Sequence, residues 1–488
     1  MDRLYEKYND KVMSAEEAAE LITANMTLGC SGFTMVGYPK AVPQAIAKLR
    51  KASNLTVLTG ASVGGALDGE LVQAGLMTRR YPYQTNKVMR DAVNAGKVLY
   101  ADQHLSETVA FLNRGLGPKV DVAIIECCAV TKDGLVPAAT VGNSESYVRL
   151  ADKVIVELNN TLPLELYGMH DIYSPSGGDG GPVPIVDVMD KIGTPYIPCP
   201  PEKIAAIVFT NVAGDCPKFK PADADSEAIA ANIVSFLKSE VAAGNQPANL
   251  YPLQSGVGSV ANAVLSGLHK GGFKGLRMFT EVIQDSALNL IRDGIITGAS
   301  CTSLSLSEEA QKELFDNIAF YREHVVIRPQ EVSNFPGLVR RLGLIAMNTP
   351  IECDIYGNVN STHIMGTKIM NGIGGSGDFA RNAGLSIFAT SSVAKGGLIS
   401  CIVPFCSHID HTEHDVQVIV TEQGVADLRW NAPRERAETI IENCAHPDYR
   451  PMLREYYKEA LALGGHTPHV LTKALSWHQR FVDTGSMK

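Results

Sequence analysis

Glu281 stands in the stretch FTEVIQDS, residues 279–286, between two segments of different periodicity. Leu276, Met278 and Phe279 before it read as the end of a buried strand. Ile283, Ala287, Leu290 and Ile291 after it recur at intervals of three and four, as on a helix face, and Asp293-Gly294 supplies the stop. The carboxylate is therefore expected at the carboxyl edge of a sheet, where open α/β folds place their reacting groups. A glutamate there serves as a nucleophile or as the acid that grips a ribose.

Two glycine clusters bear on the choice. The loop GVGSVA, residues 256–261, matches the dinucleotide fingerprint G-x-G-x-x-A, with Glu281 about twenty residues further on, where a ribose-binding acid belongs. That pattern describes an NAD-dependent oxidoreductase. Against it, Pro252 in ANLYPLQS predicts a poor central strand, and the module would begin in mid-chain. The second cluster, NGIGGSGDFARNAG (371–384), carries Gly372, Gly374, Gly375 and Gly377. Glycines so dense let backbone approach a ligand and turn N–H groups toward it, or simply make tight turns. Two such loops and one carboxylate suit acyl transfer, in which charge builds on a carbonyl oxygen more than once.

Other polar residues are less pointed. Glu422 ends the apolar run of DVQVIVTEQG (415–424) and reads equally as a pocket carboxylate or a solvated strand end. HIDHTEH (408–414) spaces three histidines by three but lacks HExxH, so a polar loop is expected there and no metal.

The elements that must hold these residues alternate along the chain. VDVAIIECC (120–128), DKVIVELN (152–159) and DVQVIVTEQG read as buried strands; 44–53, 226–244 and 435–444 read as helices. Such alternation predicts an α/β protein of parallel or mixed sheets covered by helices. At 488 residues the chain exceeds one core, and CPKFKPADADSE (216–227) is the expected linker between domains at 1–215 and 228–488. The halves look like diverged copies: SGFTMVGYPKAVPQAIAKL (31–49) parallels SGVGSVANAVLSGL (255–268), and AIIECCAVTKDGLV (123–136) parallels TPIECDIYGNVN (349–360). Under that pairing Gly60 occupies the place of Glu281, so one copy alone carries the carboxylate, which suggests an active site at the domain interface.

The formal net charge of −9 argues against nucleic acid and against an anionic membrane surface. No apolar run approaches membrane-spanning length, and the charged N-terminus lacks a signal-peptide core. Ten cysteines without a CxxC read as reduced, mostly buried thiols of a cytoplasmic protein.

Taken together, TEVIQD (280–285), QSGVGSV (254–260), RPQEVSN (328–334), YGNVNSTH (356–363), NGIGGSGDFARNA (371–383) and VTEQGVADLR (420–429) resemble the acetyl-CoA hydrolase/transferase family, nearest to its bacterial succinyl-CoA:acetate CoA-transferase branch. SGFTMVGYPK (31–40) and SWHQRFVDTG (476–485) fit as well, so the resemblance spans essentially the whole chain. It implies a class I CoA-transferase fold of two similar open α/β domains, and a homodimer. It further implies acyl-CoA and short-chain carboxylates as substrates, with coenzyme A a substrate and no permanently bound cofactor. Carried over by position, Glu281 is the nucleophile, passing through an anhydride and a glutamyl-CoA thioester, with Asn334 and Gly375 assisting. Gly256, Val257, Gly258, Ser259, Val260, Asn371, Gly375 and Lys395 lie along CoA, Lys395 at its nucleotide end, and Glu422 lines the carboxylate pocket. One departure concerns the acid: succinate-using relatives carry arginine in a segment like AAIVRT, where this chain has Phe209. Acetyl-CoA hydrolysis is the alternative, since it would use the same glutamate.

Overall fold

The computed structural model describes residues 2–175, 182–219 and 221–488. Its chain clusters into two compact units, each discontinuous in sequence. The first comprises residues 1–218, 278–291 and 297–338; the second comprises 219–277, 292–296 and 339–488. Within the expected linker, 216–227, residue 220 lies outside the described residues, and the chain is already helical from Ala224. The reason is local: the Asp223 carboxylate accepts the Ser226 N–H at 2.9 Å and starts the helix Ala224–Ala242.

In the first unit the strands β1 (Thr27–Cys30), β2 (Leu55–Leu58), β3 (Val122–Val130), β4 (Lys153–Asn159) and β5 (Ile204–Thr210) pair in the order β2-β1-β3-β4-β5, all parallel. Strand Met77–Tyr81 extends the sheet beyond β2. Helix α1 (Ala41–Leu49) connects β1 to β2. Every residue of β3 is buried, as a central parallel strand covered on both faces must be. At its end the chain turns back into the antiparallel strand Gly134–Pro137.

The second unit repeats the plan. Strands β6 (Leu253–Ser255), β7 (Ile345–Asn348), β8 (Leu385–Ala389) and β9 (Val418–Thr421) pair in that order, all parallel, and β10 (Gly424–Asp427) closes antiparallel on β9. Strand β6 leads through the glycine loop into helix α2 (Ser259–Lys270), as β1 leads into α1. Two expectations are corrected here. Pro252 does not weaken β6, because it lies just outside the strand and its carbonyl accepts the Ile345 N–H at 3.0 Å, so its missing N–H costs no ladder bond. DVQVIVTEQG is not a single strand: Thr421 pairs with Gly424, leaving Glu422-Gln423 as a two-residue hairpin loop. The remaining core of this unit gathers Cys353, Tyr356, Ile402 and Val403 with the helices Pro433–Cys444, Arg450–Leu463 and α3 (Ser476–Thr484).

All ten cysteines are free thiols, nine of them buried. Burial holds the Cys127, Cys128 and Cys353 thiols above the ordinary range. Among the described residues no helix is long and apolar enough to cross a membrane.

Candidate active site

Glu281 follows the strand Leu276–Phe279 and precedes the two-residue strand Val282–Ile283, which feeds the helix Asp285–Arg292. The segment is pinned through its backbone. The Glu281 carbonyl accepts the N–H groups of Thr302 (2.9 Å) and Ser303 (3.1 Å), and Val282 pairs with Ser303. Thr302 is in turn tied to the loop after Gly134–Pro137: its carbonyl accepts the Val141 N–H at 2.9 Å and the Thr140 hydroxyl at 3.0 Å, and its hydroxyl accepts the Gly142 N–H at 3.0 Å. The Val282 side chain is buried among Phe33, Ala61 and Leu105. The nucleophile candidate thus sits on a fixed strand end, the rigid placement that reaction at a chosen atom requires.

The side chain itself is half-buried, and the Asn334 amide donates to its Oε1 at 2.7 Å. Asn334 is fully buried and directly follows the short helix Gln330–Ser333. That helix is moored by Arg328, whose buried guanidinium pairs with Asp171 and donates to Ser300 Oγ at 2.8 Å. Gln330 adds an N–H to the Gly142 carbonyl at 2.8 Å and its side-chain amide to the Leu105 carbonyl at 3.0 Å. The motif RPQEVSN therefore folds as an anchor, a helical turn and a donor, and the donor points at the carboxylate. A bond of this kind, with one charged partner, contributes about 1.5–3 kcal/mol and fixes the carboxylate's orientation.

Gly60, the counterpart of Glu281 in the other copy, has no room for a side chain. A Cβ there would lie 2.8 Å from both Gln330 Oε1 and the Gly32 carbonyl oxygen, and 3.2 Å from the Gly142 Cα. Three backbone segments meet at this point, and a carboxylate side chain does not fit among them.

The other candidates belong to the second unit, apart from Phe209. In the first glycine loop the Gly256 N–H donates to the Met347 carbonyl at 3.0 Å, and Val257 is exposed. Gly258, at φ 109°, sets the chain for Ser259 and Val260 to open helix α2. In the second loop Asn371 donates to the Gly372 carbonyl at 3.1 Å, Gly374 has φ 59°, and Gly375 immediately precedes the helical turn Ser376–Ala380. Glu422, in its hairpin loop, accepts the Ser392 N–H at 2.8 Å on Oε2 and the Ser392 hydroxyl on Oε1, with Gln423 adding a bond at 2.9 Å. Burial alone would raise its acidity constant's pKa, but these bonds outweigh it and hold the carboxyl below the usual range, so Glu422 is ionised at neutral pH. Lys395 is exposed at φ 50°, its ammonium 5.0 Å from the Phe481 ring centroid. Phe209 lies on β5 opposite Leu158 and is 43% exposed.

The structure thus joins Glu281 to Asn334 by a direct bond and ties Glu422 to Ser392, a partner thirty residues away that sequence spacing gave no reason to choose. Also missed were Thr302, Ser303 and the AATVGN loop (138–143), whose run of small residues after a buried strand was the available signal. In HIDHTEH, His411 is buried and its Nε2 lies 3.0 Å from Ser376 Oγ, while His408 pairs with Asp410 at 3.2 Å.

Comparisons with known proteins place the chain in a family. Residues 1–209 match the model of the acetyl-CoA hydrolase/transferase N-terminal domain, and residues 310–457 match that of the C-terminal domain. The chain is 54% identical over 489 residues to a succinyl-CoA:acetate CoA-transferase of Clostridium kluyveri, covering 99% of this chain and 91% of the relative. A propanoyl-CoA:succinate CoA transferase of Escherichia coli is 44% identical, covering 97% and 98%. An acetyl-CoA hydrolase of Yarrowia lipolytica is 43% identical, covering 99% and 97%. In fold it is similar to RipA from Yersinia pestis (TM-score 0.73, 22% identity, 93% and 98% covered) and to a 4-hydroxybutyrate CoA-transferase from Porphyromonas gingivalis (TM-score 0.66, 22% identity, 93% and 99% covered). The chain belongs to the acetyl-CoA hydrolase/transferase family.

Proposed function

We propose that this enzyme is an acyl-CoA:carboxylate CoA-transferase working in ping-pong order through Glu281. The observation that carries the reading is the Asn334 amide 2.7 Å from Glu281 Oε1, on a carboxylate whose backbone is clamped at a strand end. A Glu281 oxygen attacks the thioester carbonyl, the C–S bond breaks, and CoA leaves as thiolate from a mixed anhydride. The thiolate then attacks the glutamyl carbonyl, the first acid leaves as carboxylate, and a glutamyl-CoA thioester remains. A second carboxylate runs both steps in reverse. Charge in the second step builds on the oxygen of the glutamyl carbonyl, and Asn334 is a donor already aimed at Oε1. Gly256–Val260, Asn371, Gly375 and Lys395 are the proposed contacts of CoA, Glu422 and Phe209 those of the acid, and a cytoplasmic homodimer is the proposed state.

Acetate is the acid placed first. For its exchange partner the names of the Clostridium and Escherichia relatives speak for succinate. Phe209 speaks for a monocarboxylate, because a second buried carboxylate without a cation costs several kcal/mol. The test is acetyl-CoA with a panel of short carboxylates, scored by the new acyl-CoA formed. Under the Phe209 argument acetate and propionate exceed succinate in kcat/KM; the reverse order rejects that argument and leaves the reaction class intact.

Hydrolysis is the second reading, favoured by the name of the Yarrowia relative. An acceptor held against Glu281 has an effective molarity of roughly 10⁵ M or more, which bulk water at about 55 M does not match without a base aimed at it. CoA release from acetyl-CoA alone is therefore expected to run more than about tenfold below exchange at saturating acid. Release at a comparable rate would make the protein a hydrolase.

A further inference from the structure

The C-terminal helix and tail are built onto the turn that carries Lys395. Lys395, Gly396 and Gly397 all have positive φ (50°, 64° and 86°), a conformation a lysine adopts only when its surroundings hold it there. What holds it comes from the chain's last segments. The Met487 N–H donates to the Leu398 carbonyl at 2.9 Å, the Arg480 guanidinium to the Met487 carbonyl at 2.7 Å, and the Tyr449 hydroxyl to the Gly397 carbonyl at 2.9 Å. Helix α3 is itself fixed from inside: His478 Nε2 lies 2.7 Å from Glu352 Oε2 with both side chains buried, and Trp477 packs against Tyr449. Phe481, one turn on from Trp477 and His478, shares their face. It carries the Lys395 ammonium at 5.0 Å from its ring centroid, and among the described residues that ammonium has no acidic partner.

From these contacts we infer that α3 is a positioning element for acyl-CoA: Phe481 preorganises the Lys395 ammonium for the phosphates of the CoA nucleotide. The inference rests on the proposed role of Lys395. A ring face beneath a lysine directs the side chain while leaving its three N–H donors free, which a carboxylate partner would not do. Preorganising one flexible side chain changes affinity by about three- to tenfold.

The test uses the full-length enzyme with two thioesters, acetyl-CoA and S-acetylpantetheine, the latter lacking the nucleotide. Phe481→Leu is expected to raise KM for acetyl-CoA about three- to tenfold with kcat unchanged, and to leave S-acetylpantetheine kinetics as in wild type. Phe481→Trp, which keeps a ring face, is expected to restore KM, and Phe481→Leu is expected to add nothing in a Lys395→Ala background. Equal losses on both thioesters would mean that Phe481 only stabilises the fold and would overturn the inference. So would an unchanged KM in Phe481→Leu when Lys395→Ala alone raises it. Should Lys395→Ala leave KM for acetyl-CoA unchanged while exchange proceeds, the Lys395 assignment itself falls, and this inference with it.

Discussion

Under the proposed mechanism Asn334 is the residue on which the chemistry leans after Glu281, because its buried amide donates to that carboxylate. Asn334→Ala is expected to lower kcat by roughly 10²–10³ with little change in KM for acyl-CoA, the usual loss for one oxyanion donor. A kcat within about fivefold of wild type would show that the bond is structural only. Gly60→Ala makes a contrasting prediction. Its new methyl would stand 2.8 Å from a backbone oxygen, so backbone must shift, and overpacking of this kind costs about 1–3 kcal/mol. A lowered thermal midpoint is the expected reading, and an unchanged one would mean that the three backbones have slack. The strand-end placement of Glu281 and the two glycine loops were legible in local sequence pattern, whereas Asn334 entered only through the family resemblance of RPQEVSN. Ser392 beneath Glu422 and Phe481 beneath Lys395 were not legible, since each partner is brought in by the fold from a remote segment.

At the level of elements, most strands and helices were readable from apolar runs and periodicity, and the failures have local causes. The helix Ala224–Ala242 begins inside the expected linker because an Asp N-cap has the same polar composition as a loop. The run at 415–424 hid a hairpin, because apolar content continues through Val425 and Ala426 and a two-residue turn of Glu and Gln carries no glycine signal. Just beyond that hairpin Trp430 is fully exposed with φ 65°, a left-handed conformation that glycine adopts without cost and tryptophan does not. Trp430→Gly is expected to be more stable than Trp430→Ala by about 1 kcal/mol, read from their thermal midpoints, because alanine keeps the strain and glycine relieves it. Equal midpoints would show that the turn relaxes in the alanine variant.

For the whole molecule, parallel sheets and the duplication were legible, and the two discontinuous units were not. Residues 278–291 and 297–338 cluster with the N-terminal 218 residues although they follow the linker, through long-range contacts such as those of Thr302 with residues 140–142. Global stability also carries a pH signature. Burial pushes the Glu157 carboxyl up to about 7 from 4.5, against the opposing N–H bonds of Lys40 and Val42 and with Glu126 nearby adding to the rise. Between those values the folded chain keeps a proton that the unfolded chain has released. This contribution to stability is therefore complete below about pH 4.5 and is lost as pH rises through about 7. In Glu157→Gln that portion disappears, so the difference between wild-type and variant midpoints is expected to change across this window and to level off above it. Parallel curves would contradict the assignment.

The central claim is that Glu281 becomes covalently bound to CoA, and peptide mass spectrometry tests it most directly. The enzyme is incubated with acetyl-CoA and no acceptor acid, quenched, digested and compared with Glu281→Gln treated alike. The account predicts an added CoA mass on the peptide containing Glu281, removed by borohydride reduction with permanent loss of activity, and absent from the variant. A Glu281 peptide that stays unmodified while the enzyme exchanges acyl groups at full rate would mean direct transfer between substrates, and the account would be wrong.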